Sequence, residues 1–229
     1  MKSGTAAYAE LKGLLAPSGL IPRGGFFPEP ADGVPALSGG RSAATVIMVG
    51  NAGPDMWRAF ASAGLDGRPD PLNRWSKSII DDAAARLGGE AVYPFGGPPY
   101  LPFQRWAQRA EAVYPSPIGP LIHPTYGLWH AYRGAVVLAE VVDLPPWAGL
   151  VSPCETCADR PCLSTCPVGA FRPDGYDVPG CVGHIDSSAG RDCLDGGCLA
   201  RRACPIGRQY HYAPEQMNFH MDAFRRANR

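Results

Sequence analysis

The cysteines constrain this chain more than any other feature of its sequence. All eight lie between residues 154 and 204, and the 153 residues before them contain none. They fall into two groups, and a proline follows the last cysteine of each group. The groups are Cys154, Cys157, Cys162 and Cys166, then Cys181, Cys193, Cys198 and Cys204. The C-terminal part is therefore expected to fold through cysteine chemistry, and the part before it around an apolar core.

Three chemistries use cysteines at this density. Disulfides are disfavoured, because the N-terminal residues show no signal-type apolar block and the cytosol keeps thiols reduced. Zinc can bind two sets of four thiolates, and C-x2-C is also a zinc-binding element. Iron–sulfur clusters fit the form better, since C-x2-C-x4-C-x3-C-P followed by a second group ending in Cys-Pro is typical of two-cluster ferredoxin modules. We therefore expect two 4Fe-4S clusters that use all eight cysteines.

In two-cluster modules, the fourth cysteine of one run ligates the cluster of the other run. The predicted ligand sets are Cys154, Cys157, Cys162 and Cys204 for one cluster, and Cys166, Cys181, Cys193 and Cys198 for the other. Gly196, Gly197 and Gly207 are expected to let backbone amides approach the sulfides, where hydrogen bonds tune the reduction potential. Each cluster would then tie the two cysteine groups together.

The hydrophobic pattern divides the chain into a mixed α/β domain over residues 1–150 and a cysteine module over residues 151–229. TVIMVG (45–50) predicts a buried strand, and LWHAYRGAVVLAEVV (128–142) predicts a central strand pair bent at Gly134. The other predicted elements are helices over 1–15, 54–64, 70–89, 102–113 and 214–227, and a strand over 91–95.

Charge and hydropathy exclude several partners. The 21 Lys and Arg residues balance the 21 Asp and Glu residues, so no global field attracts nucleic acid or anionic lipid. No apolar run reaches the roughly 20 residues that a membrane-spanning helix needs. We therefore expect a cytoplasmic protein with no membrane partner, and a nucleic-acid partner is not favoured.

Two known families carry related motifs. The isolated Cys181 before a shortened cysteine group resembles the two-cluster modules of epoxyqueuosine reductases and reductive dehalogenases. LIHPTYGLWHAYRGAVVLAEVVDLPP (121–146), followed by PCETC and later CPVGAF, is similar to the segment of epoxyqueuosine reductase that leads from its corrinoid-binding domain into its clusters. DPLNRWSKSI (70–79), with IHPTYGLWHAYRGAVVL and DLPP, resembles the cobalamin-processing protein of the cobalamin C type, which has no clusters. The resemblance covers about residues 45–207.

The resemblance implies a flavin-reductase or nitroreductase-like sheet domain that holds cobalamin base-off, followed by a ferredoxin-like module with two 4Fe-4S clusters. The motif residues that it implies as corrinoid contacts are His123, Tyr126, Trp129 and Arg133. Each has a structural alternative: Trp129 as a core residue, Arg133 as an ion-pair partner, and His123 as a hydrogen-bonded loop histidine. A flavin is the alternative cofactor of the sheet domain, and the motif identifies no catalytic residue.

One departure separates the chain from epoxyqueuosine reductases. When PYLPFQRWAQRA is aligned with the helix before the motif in that family, Pro99 occupies the position of the proposed proton-donating aspartate. Proline cannot donate a proton, and the hydroxyl of the adjacent Tyr100 is a poor substitute for a carboxylic acid. The family's tRNA-reading repeats have no counterpart in this sequence, and the few basic residues that could replace them are Arg201, Arg202 and Arg208.

Three functions stay open. The sequence favours an oxidoreductase that handles cobalamin, removing an upper axial ligand or generating cob(I)alamin with the clusters as internal electron donors. The second is an electron-transfer protein without a substrate of its own, whose N-terminal domain docks a partner or binds flavin. The third is a reductase of an organic substrate such as a modified nucleoside, as in epoxyqueuosine reductases. All three require an external electron donor, such as a flavodoxin, a ferredoxin or a reductase.

Overall fold

The fold is known from a computed structural model that describes residues 4–64, 67–147 and 149–229. The described residues divide into two units. The N-terminal unit comprises Met1–Ala112 and His130–Gly149, and the cysteine unit comprises Val113–Trp129 and Leu150–Arg229. Residues 113–129 therefore belong with the cysteines, although the sequence pattern assigns them to the first domain. Positions 1–3 of the first predicted helix lie outside the described residues.

The elements follow one another as alternating helices and strands in the N-terminal unit and as short pieces in the cysteine unit. The helices are α1 (Gly4–Leu15), α2 (Asp55–Ser62), α3 (Pro71–Arg86), α4 (Phe103–Ala110), α5 (Pro161–Ser164), α6 (Val178–Asp186), α7 (Arg191–Gly196), α8 (Leu199–Arg202) and α9 (Pro214–Ala227). The strands are β1 (Ile21–Phe26), β2 (Thr45–Ala52), β3 (Glu90–Val92), β4 (Tyr114–Pro115), β5 (Leu121–Ile122), β6 (His130–Leu138), β7 (Phe171–Arg172) and β8 (Gly175–Tyr176).

A four-stranded antiparallel sheet in the order β1-β2-β6-β3 forms the centre of the N-terminal unit. β2 is buried over almost its whole length, as its continuous apolar run predicts. The predicted strand pair over 128–142 is wrong, because β6 is one continuous strand. Its irregularity is a bulge, since Val49 pairs with Gly134 while the next residue, Gly50, pairs with Tyr132. Arg133 is the extra residue of this bulge.

Helices cover the sheet of the N-terminal unit. Apolar or small residues recur along α3 at helical spacing, and the buried ones are Leu72, Ser76, Ile80, Ala83 and Ala84. This face packs against β6 and β3, while α4 packs against β1 and β2. Each fully buried large apolar side chain contributes roughly 1.5–3 kcal/mol relative to exposure. The N-terminal unit therefore has an apolar core of its own.

The cysteine unit has much less apolar material. Its described strands form two small antiparallel pairs, β4 with β5 and β7 with β8. One small core consists of Ile118, Ile122, Leu128, Ala200 and Cys204, and another of Ile185, Cys193 and Leu194. Helix α9 packs against the second core through Met221 and Phe224. Both of these small cores contain a cysteine.

The predicted helices and the strands over 45–50 and 91–95 are confirmed, with ends shifted by a few residues. The sequence analysis does not predict β1, because its sequence, IPRGGF, contains a proline and two glycines that disfavour a strand. Among the described residues, no helix combines the length and the apolar character that crossing a bilayer requires.

Candidate functional site

A first pocket in the cysteine unit is lined by Cys154, Cys157, Cys162 and Cys204. The pocket encloses about 330 Å³ of space, including its opening to solvent. Three cysteines come from the loop and helix around α5, and Cys204 comes from the segment after α8. Prolines and Ile206 complete its walls, so the thiols face an apolar space. The structure thus brings together the four cysteines of one predicted ligand set.

A second pocket of about 320 Å³ is lined by Cys166, Cys181, Cys193 and Cys198. Its four thiols come from the turn after α5, from α6, from α7 and from the start of α8. Met221 of α9 and Phe171 of β7 close the sides. Each pocket therefore takes cysteines from both sequence groups, in the crossed arrangement that the spacing predicts.

Thiols in the first pocket influence one another electrostatically. Burial raises the pKa of Cys154, and the neighbouring thiolates of Cys204 and Cys157 raise it further. Burial likewise raises the pKa of Cys162, with added repulsion from Cys204, Cys154 and Cys157. A cation at the centre of the pocket would reverse this repulsion, because a coordinated thiol loses its proton to the metal.

The second pocket shows the same coupling among its own members. Burial raises the pKa of Cys198, and the thiolates of Cys193 and Cys181 add to the shift. Burial also raises the pKa of Cys181, with repulsion from Cys166. Both pockets therefore need positive charge before their thiols can ionise together.

Backbone amides and hydroxyl groups point at the cysteine sulfurs. The amide of Ala170 donates to Cys166 Sγ at 3.4 Å. Nearby backbone amides lower the pKa of three other cysteines against the rise from burial: Leu199 that of Cys193, Ala200 and Arg201 that of Cys198, and Ile206 that of Cys204. The amide of Cys154 donates to Ser152 Oγ at 3.3 Å. The hydroxyls of Ser152 and Tyr176 lower the pKa of Cys154 and Cys181 in the same way. These donors favour the thiolate form, which is the form that binds metal.

The glycines serve a different purpose from the predicted one. A Cβ on Gly207, whose φ is +72°, would lie 2.3 Å from the carbonyl carbon of Tyr126, and a Cβ on Gly127 would lie 2.0 Å from the carbonyl oxygen of Ile206. The two glycines therefore let the 123–127 loop meet the chain after Cys204. Gly197 gives room to Met217 of α9 in the same way.

Two of the implied corrinoid residues lie in that loop. His123 Nδ1 accepts hydrogen bonds from the amides of Thr125, at 2.9 Å, and Tyr126, at 3.2 Å. Its ring stacks on the Tyr126 ring with centroids 4.3 Å apart. Nδ1 is thus an acceptor, which places the proton of a neutral ring on Nε2. Both side chains are half-buried, so His123 adopts the hydrogen-bonded loop role and keeps an exposed face.

Trp129 is buried within an aromatic group of the cysteine unit. Its ring contacts His211 at 4.2 Å and Tyr212 at 5.4 Å between centroids. The Arg201 guanidinium lies 4.6 Å from the Trp129 ring centroid, and Arg201 Nε donates to the carbonyl of Leu128 at 3.1 Å. Arg201 is therefore an internal cation–π partner of this group, not part of a basic surface.

Arg133 belongs to the N-terminal unit, where the β-bulge directs its side chain toward α3. Its guanidinium donates to Asn73 Oδ1 at 2.6 Å and to Ser76 Oγ at 3.2 Å, and it lies 5.5 Å from the Phe95 ring centroid. The four implied corrinoid residues are therefore divided between the two units, three in the cysteine unit and Arg133 in the other.

Sequence reasoning misses several polar groups of the cysteine unit. Gln216 in the first turn of α9 is 0 % exposed, and neither its Nε2 nor its Oε1 has a hydrogen-bond partner among the described residues. The same holds for Trp129 Nε1 and His211 Nε2. Burial lowers the pKa of His211, and the nearby arginines lower it further, so its ring is neutral near pH 7. Trp129 belongs to the motif that the sequence analysis identifies, but no local pattern marks His211 or Gln216.

A separate cleft lies in the N-terminal unit between α2 and α3. Phe60 and Trp75 form one side of it, and Arg68 and Arg74 the other. Arg74 donates to the backbone carbonyls of Pro69 and Arg68, so its guanidinium helps to shape the start of α3. This cleft has no cysteine among its lining residues and is distinct from the thiol chemistry. Among the described residues, the cysteines of the two pockets included, no three His, Cys, Asp or Glu side chains converge closely enough to hold one metal ion. The pockets thus gather their thiols around a shared space and not around a single point.

Comparison with known proteins gives structural matches only. No protein-family model matches the chain, and no curated protein matches its sequence. The epoxyqueuosine reductase of Streptococcus thermophilus is similar in structure with a TM-score of 0.50 and 17% identity, over 75% of this chain and 51% of that one. The chain thus spans about half the length of that reductase.

Two further solved structures extend the match. The epoxyqueuosine reductase of Bacillus subtilis has a TM-score of 0.51 and 14% identity, over 91% of this chain and 68% of its own. The B12-trafficking protein CblC of Caenorhabditis elegans, a homologue of human MMACHC, has a TM-score of 0.54 and 14% identity over 96% of each chain. Both resemblances inferred from the sequence are therefore recovered in the fold, and identities this low bear on the fold alone.

Proposed function

We propose that the chain is a corrinoid-handling reductase that holds two 4Fe-4S clusters in its cysteine unit and uses them as internal electron donors. The observation that carries the proposal is the pair of crossed pockets, each lined by four thiols from both cysteine groups. The spacing predicts this crossing for two clusters.

The surroundings of the sulfurs also fit clusters. Amide and hydroxyl donors to the sulfurs are the groups by which proteins tune cluster potentials. The residues present thus fit the clusters.

A corrinoid is supported by the polar atoms that the cysteine unit buries without partners. A buried hydrogen-bond donor or acceptor without a partner costs about 1–3 kcal/mol. Gln216 alone has one of each, the side-chain amide nitrogen and the carbonyl oxygen. The corrin ring carries acetamide and propionamide groups around its rim, and these both donate and accept hydrogen bonds. Gln216, Trp129 Nε1 and the neutral His211 would be complementary to such groups. The exposed face of Tyr126 would suit the flat macrocycle.

Reduction of cob(II)alamin to cob(I)alamin requires electrons of low potential, whereas the preceding step from cobalt(III) to cobalt(II) does not. When bound, 4Fe-4S clusters supply single electrons at potentials that extend down to about −700 mV. Reduction of hydroxocobalamin consumes one electron, so that cobalt(III) becomes cobalt(II) and the hydroxide leaves with a proton as water. Binding the substrate base-off would remove its lower nitrogen ligand and make the cobalt easier to reduce. The chain's own residues bind and orient the substrate, and an external reductant supplies the electron.

The test begins with anaerobic reconstitution. We expect about eight iron and eight sulfide per chain, because two cubanes use all eight cysteines. Dithionite-reduced protein should then bind hydroxocobalamin and convert it to cob(II)alamin. The shift of the visible absorption band of the cobalamin measures this conversion. Replacement of Cys154 by Ala should leave binding intact and slow the reduction. Stoichiometric zinc without iron would overturn the cluster assignment.

Gln216→Leu separates binding of the corrinoid from cluster assembly. We expect a loss of affinity of about tenfold, or about 1.4 kcal/mol, with full iron content. Arg226→Ala on the same helix is the matched control, because that side chain is 65% exposed, and it should leave affinity unchanged. If the wild-type protein with intact clusters binds neither hydroxocobalamin nor methylcobalamin at tens of micromolar, the chain is an electron carrier and the corrinoid proposal is wrong.

Reduction of epoxyqueuosine ranks second. The similarity to the S. thermophilus and B. subtilis enzymes favours it, but Pro99 occupies the proposed acid position. Tyr100 is exposed at the surface and is the nearest hydroxyl in the sequence. Turnover of an epoxyqueuosine-containing tRNA stem-loop by the reconstituted protein, abolished by Tyr100→Phe, would favour this function over cobalamin reduction.

A further inference from the structure

The cleft between α2 and α3 in the N-terminal unit has the size of a small-molecule site. It encloses about 410 Å³, and pockets for small ligands span roughly 300–1,000 Å³. Phe60 and Trp75 line one side, and Arg68 and Arg74 line the other. The cleft therefore presents an aromatic surface and two cations to the same space.

The aromatic side of the cleft is held in place by packing. Phe60 of α2 is buried, and its ring meets the Trp75 ring of α3 edge-on, with centroids 5.5 Å apart and an interplanar angle of 66°. Trp57 packs on Phe60 in turn, at 5.4 Å between centroids. These contacts fix the plane of the Trp75 indole. Because Trp75 is only half-buried, part of its ring is accessible in the cleft, where a second flat ring can stack on it.

The cationic side is formed around the start of α3. Arg74 is half-buried, and its guanidinium is oriented by hydrogen bonds from Nε to the carbonyl of Pro69 at 2.8 Å and from Nη2 to the carbonyl of Arg68 at 3.3 Å. Arg68 is exposed at the mouth of the cleft. None of the described lining residues is acidic, and the exposed Asp70 precedes α3 outside the lining. Paired guanidinium groups favour a phosphate, which they bind through charge-assisted hydrogen bonds.

We propose that this cleft binds a nucleoside monophosphate, with the base stacked on Trp75 and the phosphate held by Arg68 and Arg74. A nucleotide joins a flat aromatic ring and an anion through a ribose, and it is therefore complementary to both sides of the cleft at once. The site lies in the unit without cysteines. The inference thus goes beyond the proposed function and does not depend on the clusters or on a corrinoid.

Titration calorimetry of the full chain with adenosine 5′-monophosphate tests the inference. We expect saturable binding with a dissociation constant below about 1 mM. Adenosine, ribose 5-phosphate and inorganic phosphate should each bind about tenfold more weakly or worse, because each contacts one side of the cleft only. If the monophosphate does not bind at millimolar concentration, or if inorganic phosphate binds as tightly as the nucleotide, the inference is wrong.

Two variants locate the site within the chain. Arg68→Ala changes an exposed side chain and should weaken binding of the nucleotide about tenfold. Arg58→Ala is the matched control, because Arg58 is a cation of α2 that is 71% exposed and does not line the cleft, and it should leave the affinity unchanged. Trp75→Leu should weaken binding of the nucleotide and leave the affinity for ribose 5-phosphate unchanged. Equal affinities of the Arg68 and Arg58 variants for the nucleotide would place the binding elsewhere and refute the assignment.

Discussion

Arg23 is a charged side chain in the core of the N-terminal unit. It is 2% exposed, and its guanidinium lies 2.7 Å from Glu111 Oε1 and donates to the carbonyl of Asn51 at 3.0 Å. It also contacts His130 Nδ1 at 3.2 Å. Because arginine only donates, that nitrogen must accept, and the neutral ring carries its proton on Nε2. The buried charge is tolerated because each of these groups is paired.

Replacing Arg23 with Leu should destabilise the N-terminal unit strongly. The substitution removes the cation from a Glu111 carboxylate that is 12% exposed and keeps a hydrogen bond from the Tyr132 hydroxyl, and breaking such a pair typically costs about 3–5 kcal/mol. The measurement is the free energy of opening of the β2 and β6 amides, obtained by hydrogen exchange of the reconstituted protein followed by mass spectrometry, because these amides report on the N-terminal unit alone. Arg58→Ala is the matched control, since its ion pair with Asp55 has exposed side chains, at 71% and 67%, and should contribute less than about 1 kcal/mol. Equal losses of stability in Arg23→Leu and Arg58→Ala would show that the buried ion pair contributes no more than an exposed one.

Single residues differ in how far the sequence predicts them. The cysteines that line each pocket follow from spacing, because the two-cluster pattern pairs the last cysteine of one run with the cysteines of the other run. Arg23 cannot be recognised as buried, since its partner Glu111 is 88 residues away along the chain. The surroundings of Gln216 and Tyr176 are equally hard to predict from the sequence. Those of Gln216 come from the packing of α9, and those of Tyr176 come from a hairpin whose strands have two residues each. Residues whose role depends on distant packing are thus the ones that sequence reasoning misses.

The short elements of the cysteine unit explain why the ligand sets cross. α8 carries Ala200 into the first small core, while Cys198 lies at its start and Cys204 beyond its end. This one helix thereby directs a cysteine into each pocket. A helix of four residues has little stability of its own, so the two pockets and the core must hold it together.

Cys204→Ala should remove one cluster and leave the other. We expect iron to fall from about eight to about four per chain, because one of two cubanes loses a ligand. Alkylation of the native protein followed by mass spectrometry locates the loss: Cys154, Cys157 and Cys162 should become reactive, while Cys166, Cys181, Cys193 and Cys198 should stay protected. Ser164→Ala, on the exposed side of α5, should change neither the iron content nor the pattern of cysteine alkylation. Reactivity of Cys193 and Cys198 in the Cys204 variant would instead assign ligands within each sequence group and contradict the crossing.

Long periodic elements are predictable and short irregular ones are not. α3 and β2 follow from spacing and from a continuous apolar run, because each buries one face or both faces against neighbours. The β7–β8 hairpin and helices α5 to α8 have no periodicity to detect, since the cysteine pockets determine their course. The bulge at Arg133 likewise cannot be predicted from the sequence, because it depends on the register between β2 and β6.

With the proposed clusters in place, the two units would derive their stability from different sources. The N-terminal unit buries aliphatic and aromatic side chains on a four-stranded sheet and contains no cysteine. The cysteine unit has two small cores that themselves include Cys193 and Cys204. Ligand binding energy is folding energy where a site does not exist in the unfolded chain. Stability of the whole chain is therefore not one quantity, and a single unfolding transition is not expected.

Removal of metal from the reconstituted protein should unfold the cysteine unit and leave the N-terminal unit folded. Without clusters, eight crowded thiols remain beside cores too small to offset the conformational entropy of the unit. Hydrogen exchange followed by mass spectrometry measures this directly, before and after oxidative loss of iron under a chelator. Amides of α6, α7 and α9 should lose protection, whereas those of β2 and β6, bonded to each other along the central sheet, should keep it. Loss of protection in β2 and β6 at the same rate would show that both units depend on the metal and would refute the division of stability argued here.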